Sequence, residues 1–493
     1  MPRNGETYLA DIRAEARDIR LLGEKIAEPA SHPAFRNTFE AYAGLYDFQC
    51  APENLELMTY ETPETGQRVN RAWSMPSSYE ELVERRKAIE AWCELHHGYL
   101  GRSPDHVASS MAGLAMGLGV FRDYDPKRAG ALEDYYRYAR DRDLFIAYTI
   151  INPQADKSKH AHEQEDAFLA LRLMDQDSEG IIVKGAKMLG TSCVMADEVW
   201  VSCIQPLAEG DEPYAMSFCV PMSAAGLRIL SRKSYEQNAH SRFDNPLSSQ
   251  FDENDAVLYF DEVKIPWERV FVLGDRAMCQ RQFFATPCYA LEEYQAVIRF
   301  MVKVRFLAGV AKRITEVNGT IRIPAVAEIL GQISSEAASM EAFVNATEVL
   351  GAHTKDGYYV PDLNMICSAQ VLAQQLYPRL MTELRNLAGG GMIMLPSGIE
   401  DFIDDEQAEW IFKTQKSPAV APFDRVKFFK MAWDAIGSEF ASRHTQYEMF
   451  YAGPTFVLRG HAFRSYDWDR AAGAVDRLLD SYDLDEEKRK LPR

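Results

Sequence analysis

Few residue clusters in this 493-residue chain have the spacing that catalysis or metal binding usually demands. The close histidine pairs are His96-His97 and His160-x-His162, and no HExxH accompanies them. On a polar helix or loop such pairs read as solvated side chains, not ligands. The eight cysteines, at 50, 93, 193, 203, 219, 279, 288 and 367, form no CxxC or CxxxC pair. They read as buried thiols, and no metal site is expected. There is no GxGxxG after a strand, no GxxxxGK[ST] phosphate loop and no GxSxG nucleophile elbow. The chain thus lacks a nucleotide-binding unit for NAD(P)H. Ala388-Gly-Gly-Gly-Met-Ile-Met-Leu-Pro-Ser follows a helix instead of a strand. It reads either as a helix stop with a tight turn or as part of a cavity lining.

The elements that must position any site fall into three blocks. Residues 1–142 carry helical spacing, as in Thr7-Tyr-Leu-Ala-Asp-Ile-Arg, and Ser77-Ser-Tyr-Glu-Glu opens a helix with a capping-box arrangement. Pro104 begins a small-residue helix, Asp105 to Gly117, suited to close packing. Residues 143–275 change period. Phe145–Ile151, Gly180–Gly185, Glu198–Ile204, Tyr214–Val220 and Ala256–Pro266 are short β-branched or aromatic runs without helices between them, which predicts an antiparallel barrel or sandwich. From 276 to 493 the helical period returns in long segments, 294–317, 324–351, 364–387 and 424–450, the pattern of a four-helix bundle. Apolar positions such as Phe300, Met301, Val304 and Phe306 exceed what one bundle face needs, which predicts assembly.

Composition narrows the partners. With 54 Lys and Arg against 73 Asp and Glu, the formal charge of −19 repels phosphate backbones and anionic lipid, so neither nucleic acid nor membrane is an expected partner. The longest apolar stretch, Met111 to Phe121, is far short of the roughly 20 residues a membrane span needs. The charged N-terminus lacks a signal-peptide core, and a cytoplasmic location is expected.

Several phrases, in order along nearly the whole chain, resemble the large oxygenase component of the 4-hydroxyphenylacetate 3-hydroxylase family. They are Gly5-Glu-Thr-Tyr-Leu, Gly101-Arg-Ser-Pro-Asp-His, Tyr148-Thr-Ile-Ile-Asn-Pro-Gln-Ala-Asp-Lys-Ser-Lys, Val183-Lys-Gly-Ala-Lys-Met-Leu-Gly-Thr, Phe260-Asp-Glu-Val-Lys-Ile-Pro-Trp-Glu-Arg-Val and Gly389-Gly-Gly-Met-Ile-Met-Leu-Pro-Ser. The resemblance implies an α+β, acyl-CoA dehydrogenase-like fold: N-terminal helical domain, middle antiparallel β-barrel, C-terminal four-helix bundle. It also implies a two-component, FADH2-dependent aromatic monooxygenase, usually a homotetramer. Reduced FAD would come from a separate NAD(P)H:flavin reductase. With O2 it would form a C4a-hydroperoxyflavin that hydroxylates a small phenolic substrate ortho to its hydroxyl. The missing nicotinamide site agrees with delivered reducing equivalents.

Such a step needs a cation or donor at the phenol oxygen, a group to take its proton, and a dry pocket. By motif, the resemblance assigns catalysis to Arg102, His106 and Tyr148. Arginine is a fixed cation and histidine titrates near neutrality, which suits the first two roles. The implied substrate contacts are Arg102, Ser103, Pro104, Asp105, His106, Tyr148, Cys203 and Ile204. The implied flavin contacts are Tyr148, Thr149, Ile150, Ile151, Gln154, Ala155, Asp156, Lys157, Thr191, Phe450, Tyr451, Ala452, Gly453, Pro454 and Thr455. Tyr148 stands where the 4-hydroxyphenylacetate enzymes have a histidine and His106 where they have a tyrosine, an exchange that points to a different phenol. Two rivals remain: an acyl-CoA dehydrogenase-like flavoenzyme, with Glu448 as its candidate carboxylate base, and a non-catalytic scaffold. A 4-hydroxybutyryl-CoA dehydratase needs a close N-terminal cysteine pair that Cys50 and Cys93 do not make.

Overall fold

The computed structural model describes residues 2–153 and 155–492. The N-terminal helices form where their caps predict. Thr7 N donates to Asn4 Oδ1 at 2.8 Å to open Gly5–Ala14, and Glu81 N donates to Ser78 Oγ at 3.2 Å to open Tyr79–Leu95. Pro104 occupies the first turn of Pro104–Met116. Gly113 of that helix lies against the backbone of Cys288, where an added Cβ would sit 2.5 Å from Cys288 Cα. The small-residue pattern is therefore used for close helix approach.

The middle strands form two open sheets, not the expected antiparallel barrel. One has six strands in the order Glu24–Ile26, Asp18–Leu21, Leu227–Ser231, Ala256–Pro266, Gly180–Lys187 and Arg172–Gln176. The other has four, in the order Val270–Leu273, Met216–Pro221, Glu198–Val201 and Ile146–Thr149. Each contains one parallel pair, Asp18–Leu21 with Leu227–Ser231 and Ile146–Thr149 with Glu198–Val201. Successive strands pair antiparallel in twos, as Arg172–Gln176 with Gly180–Lys187, Glu198–Val201 with Met216–Pro221 and Leu227–Ser231 with Ala256–Pro266, but the pairs alternate between the two sheets, so neither sheet closes and both keep their edges. Two strands of the larger sheet come from the N-terminal block that spacing reads as helical. The sheets share a core in which Phe218 meets Phe260 edge-on at 6.2 Å.

The Cys288–Asn318 helix, 31 residues long, is the axis of the helical part. It packs against Pro104–Met116, Tyr79–Leu95, Pro324–Val349 and Leu363–Ala388. Its apolar excess is satisfied within the chain: Phe300, Met301 and Val304 are buried here, so they are not the surface an assembly would cover. Exposed apolar side chains cluster later instead, at Phe456, Phe463, Trp468 and Leu478. The segment 424–450 is not one helix. Gly437 stops Pro422–Ile436, and Ser438 caps Glu439–Phe450 by accepting from Ala441 N. No helix among the described residues is long and apolar enough to cross a membrane.

Candidate active site

Arg102 lies in the turn that leads into Pro104–Met116, and that turn is clamped from outside. Glu253 Oε2 accepts both Gly101 N and Arg102 N, at 2.8 and 2.9 Å. Arg443 Nη1 donates to Glu253 Oε1 at 2.6 Å and its other nitrogens hold Asp255 at 3.0 and 2.6 Å. Arg232 also donates to Asp255 at 2.8 Å, as does Thr191 Oγ1 at 2.7 Å. Burial raises the Asp255 pKa, but Arg443 and Arg232 outweigh it and hold the carboxyl well below its usual range. One charge network thus ties the 101–102 turn, the 191 loop and the Glu439–Phe450 helix together.

The Arg102 guanidinium itself is buried between two aromatic rings, 4.7 Å from the Tyr148 centroid and 3.9 Å from that of Tyr451. Its Nη1 bonds His106 Nε2, and Nη2 reaches Tyr451 O at 3.4 Å. Tyr451 OH donates back to Gly101 O at 3.1 Å. No carboxylate among the described residues pairs with Arg102 in hydrogen-bond or ion-pair range. A buried cation held only by rings, an imidazole and a carbonyl is available to an anionic or phenolic oxygen.

His106 is fully buried in the first helical turn, its ring 5.1 Å from that of Tyr148. Burial first, then Arg102 and Arg299, push its pKa well below the ordinary value, so the resting imidazole is neutral. Its Nδ1 has no partner. Burial raises the Tyr148 pKa and keeps that side chain a neutral phenol.

Behind this trio stand charges on the Cys288–Asn318 helix that sequence reasoning missed. Glu292 Oε2 accepts from Ser110 Oγ at 3.0 Å, and Oε1 lies 3.8 Å from His106 Nε2. Burial lifts its carboxyl to about 7, against the pull of Arg102 and Ser110. Glu293 accepts from Gln370 Nε2 at 2.5 Å, and burial together with Glu292 lifts it to about 8. Further along, Arg299 grips Glu448 with both Nη atoms, and Lys303 Nζ adds a bond at 2.8 Å. Burial pushes Glu448 up, but Arg299 and Lys303 bring it down to about 2. A carboxylate so committed cannot serve as the base an acyl-CoA dehydrogenase requires. A cavity of about 30 Å³, room for water, lies among Glu293, Arg299, Gln370, Glu448 and Tyr451.

Other expected site residues take mixed positions. Ser103 Oγ bonds Asp105 Oδ1, which also accepts from Gln295 Nε2 at 3.3 Å, so these side chains brace the helix start that Pro104 begins. Cys203 is buried and Ile204 half-buried, just past the Glu198–Val201 strand, where Ser202 N donates to Thr149 O at 3.1 Å. No hydrogen bond or ring contact joins them to Arg102. Thr149 Oγ1 donates to Met188 O at 2.8 Å, and Ile151 pairs with Met188 across an isolated bridge. Ile150 is half-buried; Ala155, Asp156 and Lys157 are exposed, and Gln154 lies outside the described residues. Phe450 ends its helix half exposed, while Tyr451 and Ala452 are half-buried. Gly453 adopts φ +111°, a conformation that favours glycine, and its carbonyl accepts from Gln374 Nε2 at 2.7 Å. Pro454 and Thr455 are exposed. Of these two strips, Tyr148 and Tyr451 meet at Arg102, one ring on each side of its guanidinium.

Comparison with known proteins gives this arrangement its context. Sequence models described as 4-hydroxyphenylacetate 3-hydroxylase N terminal and C terminal match residues 4–272 and 279–480. The 4-hydroxyphenylacetate 3-monooxygenase oxygenase component of Geobacillus sp. (strain PA-9) is 32% identical over 467 residues, 94% of each chain. The pyoverdin chromophore biosynthetic protein PvcC of Pseudomonas aeruginosa is 33% identical over 491 residues, covering 97% of this chain and 96% of its own. The crystal structure of the oxygenase component (HpaB) of 4-hydroxyphenylacetate 3-monooxygenase, complexed with FAD and 4-hydroxyphenylacetate, superposes with a TM-score of 0.92 at 31% identity, over 97% of this chain and 98% of that one. With matching sequence models over both halves and a shared fold along nearly its whole length, the chain belongs to the 4-hydroxyphenylacetate 3-hydroxylase family.

Proposed function

We propose that the chain is the oxygenase component of a two-component monooxygenase that uses reduced FAD and O2 to hydroxylate a phenol ortho to its hydroxyl. The observation that carries this reading is Arg102, a buried guanidinium with aromatic rings on two sides and no carboxylate in ion-pair range among the described residues. Family membership supports it, since a related structure holds FAD and 4-hydroxyphenylacetate and a relative is named for 4-nitrophenol. The residues present fit a flavin: the Tyr148 and Tyr451 rings beside Arg102 and the open backbone at Gly453 offer aromatic and polar contacts. Tyr148 to Ile151, Ala155 to Lys157, Thr191 and Phe450 to Thr455 would hold it. Reduced FAD, when bound, supplies the two electrons that leave one atom of O2 for the ring and one for water.

The chain's own residues prepare the phenol. Arg102 holds its oxygen through charge-assisted hydrogen bonds and favours the phenolate, the more nucleophilic form. His106 takes the proton, and the rings of Tyr148, Tyr451 and Tyr447, the last edge-on to Tyr451 at 5.1 Å, exclude water. Cys203 and Ile204 border the substrate side. The scaffold is an acyl-CoA dehydrogenase-like order of N-terminal helical (1–142), middle β (143–275) and C-terminal helical (276–493) parts. The exposed apolar residues at 456–478 support a homotetramer, and the oxygenase-component names of the relatives support a separate flavin reductase as partner. The test is reconstitution. The purified chain with FAD and NADH should be inactive, and adding a flavin reductase should yield a catechol with one oxygen from labelled O2. NADH-dependent hydroxylation by the chain alone, or no catechol from any phenol with a reductase present, overturns the reading.

A further inference from the structure

Glu292 is a buried carboxylate without a lysine or arginine in ion-pair range among the described residues; its near polar neighbours are Ser110 Oγ at 3.0 Å and His106 Nε2 at 3.8 Å. Arg102, His106 and Ser110 face it from the N-terminal side and Tyr148 from the strand. Cys288 and Glu293 stand beside it on its own helix, with Gln370 and Cys367 beyond Glu293 and Arg299 two turns on. An uncompensated buried carboxylate is costly, and here it abuts the imidazole assigned to the phenol.

A neutral imidazole has one donor and one acceptor nitrogen. While Arg102 donates to Nε2, the proton of His106 must sit on Nδ1, and neither nitrogen can accept from a phenol. For Nδ1 to become the base, Nε2 must carry the proton and find an acceptor. Arg102 offers none. Glu292 Oε1, 3.8 Å away, needs to approach by about 1 Å to reach normal hydrogen-bond length. A phenol oxygen that draws Arg102 to itself leaves Nε2 free for that partner.

We infer, on the phenol reading above, that Glu292 is the positioning residue behind His106 and the final acceptor of the substrate proton. The phenol O–H proton passes to His106 Nδ1 and the Nε2 proton passes to Glu292 Oε1, leaving phenolate, neutral imidazole and a protonated carboxyl. The charges agree with this direction. Burial, Arg102 and Arg299 prevent His106 from keeping a proton, whereas burial lets Glu292 hold one near neutrality. Glu293 is the like charge beside it, so the two titrate as a pair.

The test uses Glu292→Gln, Glu292→Asp and Glu293→Gln, each with a flavin reductase, across pH 5.5–9. Wild type should gain hydroxylation as pH rises through about 7. Glu292→Gln should bind reduced FAD normally, lose hydroxylation on the order of 10²-fold and lose that rise with pH. Glu292→Asp should restore the rise. Glu293→Gln removes a group that ionises only above Glu292 and should leave the rise near 7; a rise displaced or abolished by Glu293→Gln would assign the titration to Glu293 and overturn the inference. Infrared difference spectra of flavin-free protein on adding phenol should show a new protonated-carboxyl band that Glu292→Gln lacks. If wild type hydroxylates phenols but Glu292→Gln keeps its rate and pH profile, or the band persists in it, this inference fails while the phenol reading stands. If wild type hydroxylates no phenol, the phenol reading fails first and the inference with it.

Discussion

Replacing Arg102 by methionine should separate function from stability, because the two depend on different features of the same guanidinium. The methionine keeps a long side chain between Tyr148 and Tyr451 but removes the charge. On the stability side, two ring contacts are lost, each about 0.5–2 kcal/mol for a cation–π pair, together with the bonds to His106 Nε2 and Tyr451 O. Against that, the fold no longer has to bury a cation without a carboxylate partner, a cost of several kcal/mol per ion even after relaxation. The net change should lie within about 1 kcal/mol, or favour the variant. On the functional side, a hydrogen bond to a charged group contributes about 1.5–3 kcal/mol, so losing it from the phenolate should cost roughly 10- to 10²-fold in hydroxylation. The assay pairs thermal unfolding with product and hydrogen peroxide yields in the reductase-coupled reaction. Product should fall, peroxide should rise, and the melting temperature should hold or increase. A variant that loses several kcal/mol along with its activity would show that Arg102 is a structural keystone, and the substrate role would have to be abandoned.

Three further outcomes follow from neighbouring residues. His106→Ala should lower hydroxylation by about 10²–10⁴-fold while reduced FAD is still consumed, with peroxide replacing catechol; near-normal coupling at neutral pH would remove His106 from the reaction. Glu448 has a folded pKa of about 2 against an ordinary 4.5, so its stabilisation is complete above pH 4.5 and disappears as pH falls through 2. That amounts to about 3 kcal/mol, and Glu448→Gln should flatten acid unfolding over this window and leave Arg299 and Lys303 uncompensated at neutral pH, a loss of about 3–5 kcal/mol readable by urea denaturation. Glu253→Gln should loosen the Gly101–Arg102 turn and unpair Arg443, raising KM for the phenol more than it lowers stability of flavin binding. An unchanged KM in that variant would mean the turn holds its shape without the clamp.

The sequence made local structure legible wherever one or two residues decide it. Ser78 and Glu81 mark a helix start, Pro104 marks another, and the β-branched and aromatic run Ala256–Pro266 forms a strand. What it concealed depends on distant partners. Asp18–Leu21 and Glu24–Ile26 are strands because Leu227–Ser231 runs alongside them, and the turn at Leu22 and Gly23 is too short a signal against the helical spacing around it. The barrel expectation failed for a related reason, since strand order within a sheet depends on which sheet each connection enters.

The site follows the same division. Arg102, His106 and Tyr148 were reachable through the resemblance, but the charges behind them were not, because Glu292, Glu293, Arg299 and Lys303 on a long helix read as a solvated face. The packing of Pro104–Met116 over that helix, and Glu448 reaching it from Glu439–Phe450, turn the charges inward. In the sequence Glu292, Gln295, Arg299 and Lys303 follow one another at helical spacing along one side of Tyr289 to Val304, apart from Val297, Phe300, Met301 and Val304, which is the ordinary pattern of an amphipathic helix. Once such a stripe is buried, its charges must pair inside the protein. Arg299 and Lys303 do so with Glu448. Glu292 has no such cation in ion-pair range among the described residues, and in a site that must remove a proton from a phenol, that unmatched carboxylate is where the proton can go.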